Sequence, residues 1–350
     1  MMSRLLNSLV GGAVALVLPM VAAPPAHGAD KVSIGIPGDG IGWAPMYVAI
    51  DQGYFKAEGL DLEVQQFKGG GITIAALIGD GVDVVTLQPS TGIWASVHGQ
   101  NVKTFAAMFS EYTQNLVIRR EIAEKHKITE DSPLKDRIAV LKGLTIGISV
   151  AGSAPDQLVR MLVRMGGMDP DRDVTITPVG SGPTKLAAYT NKLVDGFLHP
   201  SPLPEEAVLN HDGFPLITPS MGDVPQLKGF LGISLQSKGT WLKAHPELAT
   251  KVASAIWKGE RFLAEKPDAA REITYKHLKN IDRKVFDLAW KTNYPAFPKT
   301  PRVTRAAIEQ NLLFMKGENG ASLTDKLDVS SVFTNEYVDD AQKSMKAPQQ

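Results

Sequence analysis

The chain has 350 residues, with 37 lysines and arginines against 37 aspartates and glutamates, and no cysteine. Lack of cysteine rules out disulfides, thiolate metal sites, thiol nucleophiles and a lipid-modified cysteine anchor. The charge balance leaves no electrostatic footprint for nucleic acid or an anionic membrane, and the length supports two lobes of ordinary domain size.

Met1–Ala29 reads as a targeting segment: Arg4, an apolar run around Leu9–Ala23, then small residues at Ala26-His27-Gly28-Ala29. The run is interrupted by Gly11, Gly12 and Pro19 and falls short of the roughly 20 residues needed to span a bilayer. A secretory signal cleaved after Gly28 or Ala29 is expected, leaving a protein that a periplasm would retain in soluble form.

The first strand is predicted at Val32–Ile36, followed by the glycine-rich loop Pro37–Trp43 and a helix with Trp43, Tyr47, Ile50 and Tyr54 on its apolar face. Gly53 and Gly59 punctuate the return into a second strand, Leu62–Phe67. Lys68-Gly69-Gly70-Gly71-Ile72-Thr73 opens the next helix, and a third strand at Val82–Leu87 runs into Gln88-Pro89-Ser90-Thr91. Val102–Met108 and Asn115–Arg119 read as strands leading outward, and polar Glu121–Asp136 as a surface excursion.

A second set of strands is predicted at Leu144–Ser149, Val174–Val179 and Val194–Leu198. Phe214–Thr218 and Phe230–Gln236 read as the return crossing. After Pro246, helical spacing of Leu248, Val252, Ala255 or Ile256, Gly259 and Leu263 begins a run of helices. Others follow at Asp268–Leu278, Val285–Thr292 and Arg305–Lys316, all expected to pack on the first lobe.

The chain repeats itself at one offset, the 112 positions separating Asp83 from Asp195. That offset also carries Ile34-Gly35-Ile36 onto Ile146-Gly147-Ile148, Asp61-Leu62-Glu63-Val64 onto Asp173-Val174-Thr175-Ile176, and Gly70 onto Gly182. Pro89-Ser90 falls on Pro200-Ser201 to within one residue. Each copy reads strand–helix–strand–helix–strand, the signature of a parallel, doubly wound sheet. The fold expected is α/β with two such lobes: residues 30–112 with 215–350, and residues 113–214.

In open parallel sheets, ligands sit beyond the carboxyl ends of strands, beside helix N-termini. Two lobes meeting there offer six loops. On the first, Asp39, Gly40 and Trp43 are candidates, with Trp43 either a flat apolar wall or ordinary packing. Gly69, Gly70 and Gly71 bring backbone amides close to an anion or polar head group. Gln88, Ser90 and Thr91 end the third strand, where a hydroxyl either caps a helix or turns to the ligand. On the second lobe, Ser149, Gly152, Ser153 and Asp156 form the counterpart of the glycine loop, with Ser181, His199 and Ser201 in the two loops after it. Asp83 and Asp195 lie too early in their strands for this role and read as structural.

The run Gly42-Trp43-Ala44-Pro45-Met46-Tyr47-Val48-Ala49-Ile50-Asp51-Gln52-Gly53-Tyr54-Phe55-Lys56-Ala57-Glu58-Gly59-Leu60-Asp61 and the segment Leu141-Lys142-Gly143-Leu144-Thr145-Ile146-Gly147 resemble the nitrate/sulfonate/taurine-type solute receptors of ABC transporters, a group that includes alkanesulfonate-binding and thiamine-pyrimidine-precursor-like members. The likeness runs from about Val32 to Ser220. It implies a hinged periplasmic binding protein of type II, monomeric and without a cofactor. Such a receptor holds a small carboxylate, sulfonate or N-heterocycle and hands it to an inner-membrane permease. Trp43, with Trp94, Phe109 or Tyr112 beside it, would leave room for an aliphatic or aromatic body bearing one acidic group.

Two rival readings remain at this stage. A pyrimidine-precursor synthase or hydrolase on a similar fold would need chemistry the chain does not display: there is no cysteine-rich iron motif, and Gly147-Ile148-Ser149-Val150-Ala151-Gly152 misses the G-x-S-x-G elbow by one residue. The histidines (His27, His98, His126, His199, His211, His245, His277) lack metal-ligand spacing. A sensor that signals to a membrane partner would look the same in sequence.

Overall fold

The computed structural model describes residues 29–180, 182–315 and 327–346; the targeting segment read at Met1–Ala29 lies, but for its last residue, outside them. Two five-stranded sheets organise the chain. The first contains β1 (Asp30–Ile36), β2 (Leu60–Gln66), β3 (Val84–Leu87) and β4 (Val102–Phe109). The second contains β5 (Gln114–Arg119), β6 (Thr145–Ile148), β7 (Thr175–Pro178), β8 (Gly196–Pro200) and β9 (Gly213–Ile217), after which β10 (Ile233–Lys238) returns to the first. Strand order is β2-β1-β3-β10-β4 in one sheet and β7-β6-β8-β5-β9 in the other. In each, three parallel strands are followed by one antiparallel strand, β10 or β5, which lies between two others.

The two sheets keep the 112-residue offset in their pairing registers. Ile34 pairs with Val64 and Val84, and Ile146 pairs with Ile176 and Gly196. Asp83 Oδ2 accepts the Ser33 N–H at 2.8 Å, and Asp195 Oδ2 accepts the Thr145 N–H at 2.8 Å. Both aspartates thus fasten the start of one strand to the next. Gly35 and Gly147 are equivalent too: a Cβ on either would come within 3.0 Å of a side chain following the outer strand, Phe67 or Val179. Glycine at both places lets those side chains approach the strand closely.

Each sheet buries its own core. Val32, Ile34 and Ile36 of β1 pack with Val252, Ala255, Ile256 and Leu263, the apolar face of the helix Pro246–Glu265. In the second lobe Ile146 and Ile148 pack with Leu158, Val159, Leu162 and Val163 of the helix Ala154–Met165. Each such side chain contributes about 1.5–3 kcal/mol on burial, so both lobes hold substantial apolar cores. Among the described residues no helix is long and apolar enough to cross a membrane.

The structure differs from the sequence reading at the return crossing. Phe214–Ile217 belong to β9, whose Phe214 pairs with Ile118 and Leu116 with Ile217, so residues 215–217 sit in the second sheet. An apolar run does not say which sheet will accept it; the free edge of β5 does. Tyr112 likewise packs in the second core. The C-terminal helices pack mainly on the first lobe, yet two reach across: Phe314 lies 4.9 Å from the Tyr112 ring, and the helix Arg283–Asn293 touches the helix Leu203–Asn210.

Candidate functional site

The first-lobe mouth is built around Trp43. Its indole is half-buried against the first core, and Nε1 donates to Thr86 Oγ1 at 2.7 Å, which fixes the ring over the end of β3. A Cβ on Gly40 would lie 3.1 Å from that ring and 3.5 Å from the Ser201 carbonyl oxygen. The lobes therefore meet at Gly40 and Ser201, with Trp43 beside the contact. Asp39 is exposed just before it.

Gly69 adopts φ +104° and donates its N–H to Pro37 O at 3.0 Å, tying the first two loops together. Its carbonyl accepts both the N–H and the Oγ1 hydroxyl of Thr73. Gly70 and Gly71 open the helix Gly70–Ile78, so their amides have no intrahelical acceptor by position. The Gln88 carbonyl accepts Gln236 Nε2 at 2.8 Å and the Thr91 N–H at 3.0 Å. The Ser90 N–H donates to Asn311 Oδ1 at 3.3 Å. No side chain caps the helix Pro89–Val97, so the hydroxyls of Ser90 and Thr91 are not engaged as caps.

At the second-lobe mouth the polar groups of one loop turn inward. Asp156, 2% exposed, accepts the Gly152 N–H at 2.7 Å and Arg160 Nε at 2.9 Å. Ser153 Oγ donates to Val150 O at 2.5 Å. Gly152, Ser153 and Asp156, expected to offer bonds to a ligand, instead hold their own loop closed, because short side chains at a turn reach neighbouring backbone first. Ser201 departs from expectation in another way. Its Oγ donates to Glu205 Oε1 at 2.7 Å and accepts Asn293 Nδ2 at 2.7 Å and Asn115 Nδ2 at 3.2 Å. A hydroxyl so engaged is a tie between β5, the helix Leu203–Asn210 and the C-terminal helix Arg283–Asn293. Ser181 lies outside the described residues.

What remains at this mouth is basic. Lys185, fully buried, donates from Nζ to Leu198 O at 2.8 Å and Ser149 Oγ at 3.1 Å. Among the described residues no carboxylate pairs with it, and burial pulls its pKa down to about 8. His199 Nδ1 lies 2.9 Å from Pro200 O, and its Nε2 edge faces Gly182 at the start of the helix Gly182–Thr190. Burial and the Lys185 charge push the imidazole down to about 4, so it is neutral at pH 7 with Nδ1 the donor.

Lys185 was not among the sequence candidates. The signal was there: it takes the place of Thr73 under the 112-residue offset, a lysine where the first copy has a small hydroxyl. Asn115, Asn293 and Glu205 had no comparable signal, since their roles arise from contacts between distant segments. The aromatic surround is also smaller than expected. Phe109 is buried in the first core and Tyr112 in the second, while Trp94 is 48% exposed against His98. Trp43 stands beside the Gly40–Ser201 contact, while Tyr112 meets Phe314 elsewhere along the lobe boundary.

Two lobes of matching topology, joined by two crossings and meeting at the carboxyl ends of their strands, define an α/β fold of the periplasmic binding protein type. The chain belongs to the NMT1-like family, whose profile matches residues 31–276. It is 25% identical over 269 residues to YtlA of Bacillus subtilis, covering 75% of this chain and 74% of that one. It is 24% identical over 258 residues to the nitrate/nitrite binding protein NrtA of Nostoc, covering 70% of this chain and 56% of that relative. The periplasmic aliphatic sulphonate binding protein SsuA of Escherichia coli shares the fold, with a TM-score of 0.67 at 16% identity over 88% of this chain and 99% of that one.

Proposed function

We propose that the chain is an exported solute receptor that holds a small organic anion, a carboxylate or sulfonate, between its lobes and delivers it to an ABC importer. The carrying observation is Lys185: a buried ammonium beside Ser149 and the end of β8, with no carboxylate partner among the described residues. An unpaired buried charge is unfavourable, and a ligand anion would offset it. Trp43, the amides of Gly70 and Gly71, and the hydroxyls of Ser90 and Thr91 would complete the grip from the first lobe, with Gln88, Ser149 and neutral His199 at the edges. Names of the relatives, nitrate and sulphonate binding proteins among them, favour the same class of ligand and a binding role over catalysis.

A thermal-shift screen of small carboxylates and sulfonates against the mature protein tests this reading. A true ligand at a hundredfold excess over its Kd stabilises by about 2.7 kcal/mol. Calorimetry on the best hit should then show Lys185→Met losing most of the affinity while Asp156→Asn retains it. A screen that returns only cations, or a Lys185→Met protein that binds anions unchanged, would reject the proposal.

A further inference from the structure

A cavity of about 190 Å³ lies behind the loop that follows β8, on the flank where β5 and β9 meet the helices Leu203–Asn210 and Arg283–Asn293. Leu116 and Val208 wall it on the second lobe, and Leu288 and Thr292 on the C-terminal helix. That helix also places Phe286, Ala289 and Trp290 in the first core, so the cavity has one wall from each lobe. Its lining includes two buried polar residues, Asn115 and Glu205, at 3% and 4% exposure.

Glu205 is the unusual member. One carboxylate oxygen accepts the Ser201 hydroxyl; the other, Oε2, is buried without a hydrogen bond of good geometry among the described residues, with the Thr292 side chain close enough to stabilise the charged form. Leaving a buried acceptor unpaired is costly, and such atoms in native proteins usually mark a missing partner. The rim carries one exposed cation and one exposed anion, Lys291 and Glu130, so the interior charge is set by the buried carboxylate. Leu116, Val208, Met221 and Leu288 supply its apolar wall, and Thr218 and Thr292 its hydroxyls.

We infer that this cavity is a second ligand site, taking a small monocation in which a primary ammonium meets Glu205 and a short aliphatic chain lies between Val208 and Leu288. A ligand there contacts both lobes at once, so it would bind this interlobe arrangement in preference to one with the lobes moved apart. Through Ser201, which touches Glu205, Asn115 and Asn293, it also reaches the point where the lobes meet at Gly40. The inference does not depend on what the main cleft holds.

Calorimetric titration of the mature protein with n-butylammonium, against 1-butanol and butyrate as controls, tests it. Saturable binding of n-butylammonium alone is expected, weakened about tenfold or more in Glu205→Gln and in Leu288→Trp, which fills the cavity without touching the carboxylate. Trp94→Ala, at an exposed position against His98 and outside both sites, should leave it unchanged. Circular dichroism on each variant separates lost binding from lost fold. No saturable binding, equal binding of 1-butanol, or affinity untouched by Leu288→Trp would overturn the site.

Discussion

The two mouths share one frame and differ in what fills it. Asp83 and Asp195 hold equivalent amides, and Gly35 and Gly147 admit equivalent side chains. At the end of the third strand the copies part. In the first lobe, Thr86 receives the Trp43 indole N–H; at the matching place in the second, the Leu198 carbonyl receives the Lys185 ammonium. Thr73, the counterpart of Lys185, closes its hydroxyl onto Gly69 O. The two copies match in the residues that fix strand register and differ at the ends of their third strands, one carrying an indole and the other an ammonium.

Making the copies alike should break the binding, and the largest effect belongs to Lys185. In Lys185→Thr, calorimetry should show anion affinity falling about 30-fold or more, in line with the 2–5 kcal/mol lost when one partner of a buried charge pair is removed. Urea unfolding should show stability unchanged or improved, since replacing an unpaired buried charge relieves a penalty. Asp83→Ala and Asp195→Ala sharpen the frame side of the comparison. Each leaves a strand amide without its acceptor and should lower stability by about 1–3 kcal/mol, Asp83 more because it also receives the Ser33 hydroxyl.

Acidity gives two further tests. Burial lowers the Lys185 pKa in the free protein to about 8, and a bound anion raises that value. Above pH 8 binding must therefore take up a proton, and affinity should fall about tenfold per pH unit until the bound-state pKa is reached. Glu205 works in the opposite sense. Burial raises its folded pKa to about 7 from an ordinary 4.5, so the unfolded chain ionises first and stability declines as pH climbs through that interval. Glu205→Gln abolishes the decline. Relative to the parent protein it should look a few kcal/mol better at pH 8 than at pH 4, read from urea midpoints at both. The smallest effect is Trp43→Phe, which removes one hydrogen bond to Thr86 worth about 1 kcal/mol and should loosen binding only modestly.

Strand positions and the repeat were legible because period and spacing are local properties, and one offset served several anchors at once. The structural role of Asp83 and Asp195 was legible for the same reason: their place within the strand excluded the mouth. β9 was not, because Phe214–Ile217 reads the same whichever sheet receives it. The loop Gly152–Asp156 was ambiguous in purpose, since short polar side chains serve a turn and a ligand equally well until the turn's own bonds are seen. Ser201 was in view as a hydroxyl at the lobe contact; its partners Asn293 and Asn115, 92 and 86 positions away, were beyond any local pattern.

The interleaving of β10 bears on how the molecule is assembled. β3 and β4 are consecutive strands in sequence, yet they do not pair: Ile233–Lys238 stands between them. The earliest-made sheet therefore stays split until a segment more than a hundred residues downstream arrives, a high contact order that slows folding. Truncation before Ile233 should leave the first lobe unable to close, whereas the second, whose five strands run without interruption from Gln114 to Ile217, has every strand it needs.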